Sequence, residues 1–280
     1  MSVKGKAVVV IGATSGIGAA TARLLVAEGA DVIFAGRRER AGSELAAELG
    51  GSAVFQRADI GVEAEVEALF TTALERFGQV DGVVNCAGES LPGTPLAEVD
   101  VPEFERLVAT LAGGALATTK HAARAMLPRK RGSIVHLTSV AAHAGGWSGV
   151  AYSAGKAAVV QIVRSAAVEL GESGIRVNGI CPGPILTGMF AKAAGIDPDE
   201  ADRMATPEAA FTEIVSQWQA LPSAGQPGDV AATAAWLLSD ASRFVNGIDL
   251  AVDGGISAGR PASVGMPARA AMAAAFKRPG

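Results

Sequence analysis

Cysteine, histidine and basic runs are scarce in this sequence. Its two cysteines, Cys86 and Cys181, and its three histidines show no metal-ligand spacing, so we expect neither a disulfide framework nor a metal site. This cysteine usage fits a reducing, cytoplasmic location. The net charge is −4, and we predict that the short basic cluster at 129–131 is a solvated helix end. Nucleic acids and anionic membrane surfaces are therefore not expected as partners.

Long apolar segments are also missing. No apolar run reaches the roughly 18 residues that a membrane-spanning helix needs. The first six residues lead directly into a strand-like segment, without the pattern of a signal peptide. We therefore expect a protein that is not inserted in a membrane.

Hydrophobic residues are abundant and are arranged in an alternating pattern. They make up 49% of the 280 residues, which is enough for one large core. Short apolar runs that are typical of buried parallel strands alternate with helical patterns between residues 7 and 252. We predict an α/β fold: a doubly wound, Rossmann-like parallel sheet of about seven strands with helices on both faces.

The chain is expected to form one domain over residues 1–256. Within it, residues 188–220 hold no clear strand, and we predict that they are a substrate lid. Residues 257–280 are rich in alanine, glycine and proline, with one possible short helix at 268–276. Two interpretations of this extension stay open: a partly disordered tail, or an arm that packs on a neighbouring subunit.

A glycine-rich turn joins the first predicted strand to the first predicted helix. Gly12, Gly16 and Gly18 lie at this junction, where glycines allow a backbone to approach a pyrophosphate that rests on the helix N-terminus. No carboxylate follows the second strand, where one would bind the ribose of NAD. Arg37 and Arg38 stand there instead, which predicts that NADP(H) is preferred over NAD(H). The alternative is that both arginines are ordinary surface charges at the start of a helix.

Tyr152, the single tyrosine of the chain, lies four residues before Lys156. On a helix both side chains would project from one face. Free tyrosine has a pKa of about 10, and lowering it by about three units needs roughly 4 kcal/mol. We expect Lys156 together with a cationic cofactor ring to lower the pKa of Tyr152, which would make it an acid/base for a substrate oxygen. The alternative is a chance pair on a solvated helix face.

Taken in order, the Gly12–Gly18 turn, Ser139 and the Tyr152–Lys156 pair make the sequence resemble the short-chain dehydrogenase/reductase family over residues 5 to about 256. Ser139 lies thirteen residues before Tyr152, as is usual in that family. Three further segments are similar to family motifs: Asn85–Cys86–Ala87–Gly88, Asp59–Ile60 and the Pro182–Thr187 segment.

The resemblance implies a set of catalytic and cofactor-binding residues. Tyr152 would be the general acid/base, Ser139 would donate a hydrogen bond to the substrate oxygen, and Lys156 would lower the Tyr152 pKa and bind the nicotinamide ribose. Family members are commonly homodimers or homotetramers, which the resemblance implies here as well. The implied cofactor-binding residues are Gly12, Thr14, Ser15, Gly16, Ile17, Gly18, Arg37, Arg38, Asp59, Ile60, Asn85, Ala87, Gly88, Tyr152, Lys156, Pro182, Gly183, Ile185 and Thr187.

One family position departs from its pattern. The family's fourth catalytic residue is an asparagine in the middle of the long fourth helix, and Thr110 stands at the matching position in our interpretation of the run 108–113. In the family that asparagine helps to hold a water in a proton relay. We expect that catalysis survives here with an altered relay, in which Thr110 takes part.

The substrate-side residues follow from their places beside these motifs. They are Glu89 and Ser90, His143 and Trp147, and Met189 and Phe190. The predicted function is hydride transfer between a nicotinamide cofactor and a secondary alcohol or ketone, with a small-molecule substrate. Two alternatives stay open: an NAD-dependent dihydrodiol or sterol alcohol dehydrogenase, and a non-catalytic dinucleotide-binding sensor.

Overall fold

The computed structural model describes residues 2–89, 93–204 and 208–276. Within them lies one seven-stranded sheet, in the order β3-β2-β1-β4-β5-β6-β7, and every adjacent pair is parallel. The predicted doubly wound parallel sheet is confirmed. The strands are β1 (Ala7–Ile11), β2 (Asp31–Gly36), β3 (Ala53–Arg57), β4 (Gly82–Asn85), β5 (Gly132–Leu137), β6 (Ile175–Pro182) and β7 (Asp249–Val252).

Helices cover both faces of this sheet. Alternate residues of β1 face opposite sides: Val8 and Val10 belong to one buried cluster, Val9 and Ile11 to the other. Such side chains each contribute about 1.5–3 kcal/mol when fully buried. The described helices are α1 (Gly16–Ala27), α2 (Glu39–Leu49), α3 (Glu63–Phe77), α4 (Val101–Val108), α5 (Gly114–Met126), α6 (Val150–Gly171), α7 (Met189–Ala193), α8 (Pro198–Arg203), α9 (Glu208–Val215), α10 (Pro227–Leu238) and α11 (Ala262–Ala275).

The strand order places a crevice beside β1. This strand pairs with β2 on one side and with β4 on the other, so the crossovers leave its carboxyl end in opposite directions. Ligands of open α/β sheets bind at such a reversal, outside the carboxyl ends of the strands. The turn after β1 and the segments after β4, β5 and β6 therefore meet at one edge of the sheet.

The basic cluster at 129–131 does more than our sequence interpretation allowed. Arg129 and Arg131 both pair with Oδ1 of Asp81, at 3.2 and 3.0 Å, and Oδ2 of the same buried carboxylate accepts the Ala7 backbone N–H at 2.9 Å. Only Lys130, in the left-handed region at φ 49°, matches the expected free helix end. The two arginines therefore neutralise the Asp81 carboxylate at the start of β1 and β4, because a buried carboxylate requires partners.

The C-terminal helix is longer than the sequence indicated. We predicted a helix at 268–276, whereas α11 begins at Ala262 and contains Pro267. It holds no buried residue. Composition alone placed the start of this helix too late, since no buried face marks where it begins. The predicted one-domain limits and the predicted oligomer stay predictions, and no described helix is long and apolar enough to cross a membrane.

Candidate active site

The turn after β1 fits tightly against the turn after β4. Gly12 has φ 77°, and a Cβ on it would lie 2.5 Å from the Ala87 backbone nitrogen. A Cβ on Gly18 would overlap the carbonyl of Gly12. The glycines therefore keep open a backbone cradle at the N-terminus of α1, whose unpaired N–H groups suit a pyrophosphate. The residues present fit a dinucleotide.

A second close approach explains the missing carboxylate after β2. A Cβ on Gly36 would lie 2.6 Å from Cγ2 of Thr14, so the Thr14 side chain fills the space that a larger residue would need. Arg37 beyond it is 58% exposed at its side chain and pairs weakly with Glu89 Oε2 at 3.6 Å. The arginines that follow β2 are paired with carboxylates, Arg37 with Glu89 and Arg38 with Asp199 and Asp202.

A buried chain of hydrogen bonds supports the turn after β4. Asn85 Nδ2 lies 3.2 Å from His136 Nδ1, and His136 Nε2 lies 2.9 Å from Thr119 Oγ1, which donates to the Ala115 carbonyl at 2.8 Å. Since the amide donates, Nδ1 accepts and the imidazole proton sits on Nε2. Burial, and then the nearby Lys156 charge, lower the pKa of His136 to about 3. The imidazole is therefore neutral, and it fixes Asn85, whose Oδ1 accepts from the Ala87 N–H at 3.1 Å.

The segment after β6 closes the other side of the crevice. A Cβ on Gly183 would lie 2.8 Å from Cα of Asp253, so the turn after β7 packs directly on it. Ile185 is buried and bridges to Gly225. Cγ2 of Thr187 lies 3.3 Å from where a Cβ on Gly16 would be. The Pro182–Thr187 segment is therefore next to the glycine turn, and its predicted contact with the cofactor stays a prediction.

Asp59 and Ile60 occupy the turn after β3. The Asp59 carboxylate accepts the Gly61 N–H at 2.9 Å, which holds the turn. The side chain of Ile60 packs on Gly114, at the start of α5. Their predicted contact with the cofactor stays a prediction.

Ser139, Tyr152 and Lys156 come together at the carboxyl end of β5. The Ser139 side chain is near enough to the Tyr152 phenol to lower its pKa, and its hydroxyl accepts the Ala141 backbone N–H at 3.2 Å. The Lys156 Nζ lies 5.8 Å from the centroid of the Tyr152 ring. It donates to the Leu137 carbonyl at 2.7 Å, and it lies 3.7 Å from where a Cβ on Gly88 would be. The α6 spacing thus presents both side chains to the crevice.

The expected effect of Lys156 together with a cofactor ring on Tyr152 stays a prediction. In the chain by itself, burial raises the pKa of Tyr152, the nearby Ser139 hydroxyl opposes this, and the thiol of Cys181 adds to it. Lys156 is itself 4% exposed, and burial lowers its own pKa to about 8. The protein groups alone therefore keep the phenol protonated.

Helix α4 continues through a π-helical segment, Ala109–Gly113, before α5. The hydroxyl of Thr110 in this segment donates to the Arg106 carbonyl at 3.0 Å, on the side of Gly61. The next residue, Leu111, is buried in the cluster that contains Tyr152, and it packs on Gly155 of α6. The recorded contacts of Thr110 lead away from Tyr152, and the proposed relay role receives no support from them. We missed Leu111 because a π-segment shifts which residues face a neighbouring helix.

A second polar cluster lies beside the catalytic residues. His143 Nε2 and Asp249 Oδ2 are 2.6 Å apart, and Thr138 donates to Asp249 Oδ1, also at 2.6 Å. The thiol of Cys181 completes a group whose donor atoms lie within 4.8 Å of one another. Burial raises the pKa of this thiol to about 12. We expected no metal-ligand pattern, and the fold brings one together from residues that are far apart in the sequence. The Asp249 carboxylate already accepts hydrogen bonds from His143 and Thr138.

The predicted substrate-side residues differ in their contacts and in their exposure. Glu89 pairs with Arg106 at 3.0 Å and with Arg37 at 3.6 Å, and its predicted substrate contact stays a prediction. Trp147 packs against Trp218 in a T-shaped, edge-to-face arrangement, with ring centroids 6.1 Å apart. Phe190 meets Phe211 at 5.5 Å, and the preceding Met189 is 38% exposed. Ser90 lies outside the described residues.

Known proteins resemble this chain over nearly its whole length. A family model described as Enoyl-(Acyl carrier protein) reductase matches residues 12–257. Momilactone A synthase of Oryza sativa subsp. japonica is 40% identical over 257 residues, 90% of each chain. The 2,5-dichloro-2,5-cyclohexadiene-1,4-diol dehydrogenase of Sphingobium indicum is 38% identical over 259 residues, 91% of this chain and 98% of that protein. The solved structure of a short-chain type dehydrogenase/reductase from Mycobacterium ulcerans matches with a TM-score of 0.82 at 33% identity, over 95% of this chain and 96% of that one.

The chain belongs to the short-chain dehydrogenase/reductase family. It is an oxidoreductase that acts on alcohols or ketones with a nicotinamide cofactor. The resemblance drawn from the glycine turn, Ser139 and the Tyr152–Lys156 pair is therefore confirmed at the level of family, fold and reaction class.

Several residues of this short-chain dehydrogenase/reductase site were missed from the sequence. Asp249 begins β7 and reaches His143 only because β5, β6 and β7 are neighbours. His136 reads as an ordinary strand residue, although a histidine inside an apolar strand is itself a signal of a buried partner. The carboxylates of Asp199 and Asp202 on α8, which bind Arg38, carry no sequence signal because they meet Arg38 only through contacts between distant parts of the chain.

Proposed function

We propose that this enzyme is an NADP(H)-dependent dehydrogenase/reductase of secondary alcohols and ketones in which Tyr152 exchanges a proton with the substrate oxygen. The observation that carries the proposal is the Ser139–Tyr152–Lys156 constellation beside the Gly12–Gly18 cradle. A non-catalytic dinucleotide-binding sensor would have no need of a hydroxyl, a phenol and a buried ammonium at one strand end.

The protein residues have separate parts in this reaction. Tyr152 donates its phenolic proton in reduction and takes it back in oxidation. Ser139, which lies beside the phenol, holds the substrate oxygen and stabilises the negative charge that develops there. Lys156 is held rigidly by the Leu137 carbonyl, and its charge favours the phenolate during proton transfer. A bound nicotinamide supplies or accepts the hydride.

Two features favour NADP(H). Thr14 fills the space beside Gly36, so the end of β2 offers no carboxylate to the adenosine ribose. Arg37 and Arg38 follow directly and match the geometry of a phosphate. The cofactor residues of the cradle are the backbones of Gly12 to Gly18, with Asn85, Ala87 and Gly88 opposite them.

The His143–Asp249 pair favours a second candidate, the oxidation of a diol with NAD(H). Asp249 accepts from Nε2–H, so the other imidazole nitrogen is free to bind a second hydroxyl of a substrate. The relative in Sphingobium indicum is named as a diol dehydrogenase. A cyclic diol and the matching mono-alcohol form the substrate pair that separates the two candidates.

The experiment is a comparison of kcat/KM for NADPH and NADH with a panel of ketones, alcohols and diols. We expect at least a tenfold preference for NADPH, reduced by Arg37→Ala and unchanged by Arg124→Ala, whose side chain is similarly exposed at 60%. Tyr152→Phe should lower kcat by about 10²–10⁴ while cofactor binding persists. A clear preference for NADH, unaffected by Arg37→Ala, would overturn the cofactor assignment.

A further inference from the structure

The lid is fastened to the cofactor edge by a cluster of ion pairs. Arg38 pairs with Asp199 at 3.0 Å and with Asp202 at 2.7 Å. Lys192 of α7 pairs with Asp202 at 2.7 Å and donates to the Ser15 hydroxyl of the glycine turn at 3.3 Å. Arg40 reaches the other Asp199 oxygen at 2.9 Å. Two carboxylates of α8 are therefore shared among three cations of the cofactor edge and the lid.

This cluster is partly buried and well packed. The side chains of Asp202 and Arg38 are only 19% and 23% exposed. A Cβ on Gly188 would lie 2.5 Å from Asp202 Oδ1, so that carboxylate is confined between the start of α7 and the guanidinium. Charge pairs in such surroundings are screened less than fully exposed ones.

The donors of Arg38 are committed within this arrangement. Its NH1 group donates to Asp199 and to the Pro198 carbonyl, and its NH2 group faces Asp202 and donates to the Thr14 carbonyl at 3.1 Å. A guanidinium binds carboxylates and phosphates through the same fork of N–H groups. A phosphate that approaches Arg38 must therefore replace the two aspartates.

We propose that Asp199 and Asp202 are specificity-determining residues for the cofactor. In the docked lid they occupy the arginine that a ribose 2′-phosphate would use, and they lower the affinity for NADP(H) relative to NAD(H). This inference rests on the proposed function, which places the 2′-phosphate at Arg37 and Arg38. It predicts that binding of the phosphorylated cofactor loosens the contact between α8 and the glycine turn.

The test is fluorescence titration of the purified full chain with NADPH and with NADH. In Asp199→Asn and Asp202→Asn combined, we expect the Kd for NADPH to fall about fivefold while the Kd for NADH changes less than about twofold. Glu200→Gln is the matched control for each single aspartate variant, because it removes one negative charge from the same helix at an exposed position. The control should leave both constants unchanged.

A second set of variants tests the same inference if the double aspartate variant is too unstable to be titrated. Arg38→Gln should weaken NADPH binding, and Asp202→Asn added to it should have no further effect, because the competition needs the guanidinium. Adenosine 2′,5′-bisphosphate and 5′-AMP, titrated in parallel, should repeat the pattern for the cofactor's adenosine half alone.

The outcomes separate this inference from the function on which it rests. If Arg38→Gln leaves NADPH affinity unchanged, the 2′-phosphate assignment is wrong, and this inference falls with it. If Arg38→Gln weakens NADPH binding but the aspartate variants match Glu200→Gln, the inference alone is wrong. The ratio of the two affinities in the wild type tests only the proposed function.

Discussion

On the sheet side of the site, Asn85, His136 and Thr119 are linked inside the core, whereas on the lid side Arg38, Lys192 and Asp202 are linked near the surface. The first set is held by neutral hydrogen bonds among buried groups. The second is held by charges that are 19–29% exposed. Burial holds the sheet side in a single geometry. The ion pairs of the lid side lie near the surface, where salt and a competing anion can break them.

The largest expected effect is that of Lys156→Met, which changes a buried residue of the catalytic site. We expect kcat to fall by at least about a hundredfold, because Tyr152 loses the charge that favours its phenolate. The same change should stabilise the fold by up to about 3 kcal/mol near neutral pH, because burial lowers the Lys156 pKa from 10.5 to about 8 and a charged ammonium there opposes folding. Activity assays and thermal unfolding measure the two effects. Unchanged or lower stability would show that the hydrogen bond to Leu137 outweighs desolvation.

The next effect concerns His136. Replacement by phenylalanine leaves the buried Asn85 amide without its acceptor and should cost about 1–3 kcal/mol. The free energy of unfolding of the wild type should fall as the pH drops from about 6.5 toward 3. Over this range His136 binds a proton in the unfolded chain but stays neutral in the folded protein. This slope, at most about 1.4 kcal/mol per pH unit, should be smaller in the variant. Urea unfolding at several pH values measures it, and Thr119→Val, which keeps the imidazole, should retain the slope.

On the lid side, salt should act selectively. Raising ionic strength from about 0.05 to 1 M shortens the Debye length to about 3 Å and weakens exposed pairs. We expect hydrogen exchange of α8 amides to speed up severalfold, while amides of α6 change little. Hydrogen-exchange mass spectrometry makes the comparison within one sample. Equal acceleration in both helices would contradict the distinction between the two sides.

The smallest expected effect is at Thr110. Its hydroxyl bonds to the Arg106 carbonyl within its own helix, so Thr110→Val should change kcat by less than about twofold. A shifted pH–rate profile in this variant would restore Thr110 to the proton relay. Leu111→Ala is the contrast, because it opens space against Gly155 and Tyr152 and should lower kcat more.

Local sequence patterns were sufficient for the frame of the site. The glycine turn depends on spacing within the β1–α1 unit, and Ser139 and the Tyr152–Lys156 pair depend on spacing within the β5–α6 unit. The predicted roles of Glu89 and of the Tyr152 pKa stay predictions, and both depend on other elements of the fold: Arg106 of α4 pairs with Glu89, and burial under the whole site raises the pKa of Tyr152.

The sequence by itself determined the parallel sheet, the family and the residue types of the reaction, since hydrophobic periodicity and short motifs are read along the chain. The tertiary structure decides which carboxylates face Arg38 and His143, and how burial shifts the pKa of Lys156. Asp202 reaches Arg38, Asp249 reaches His143, and Lys156 is desolvated through contacts between residues far apart in the sequence. Coulomb energy and desolvation depend on distance and burial in space, so no spacing along the chain encodes them.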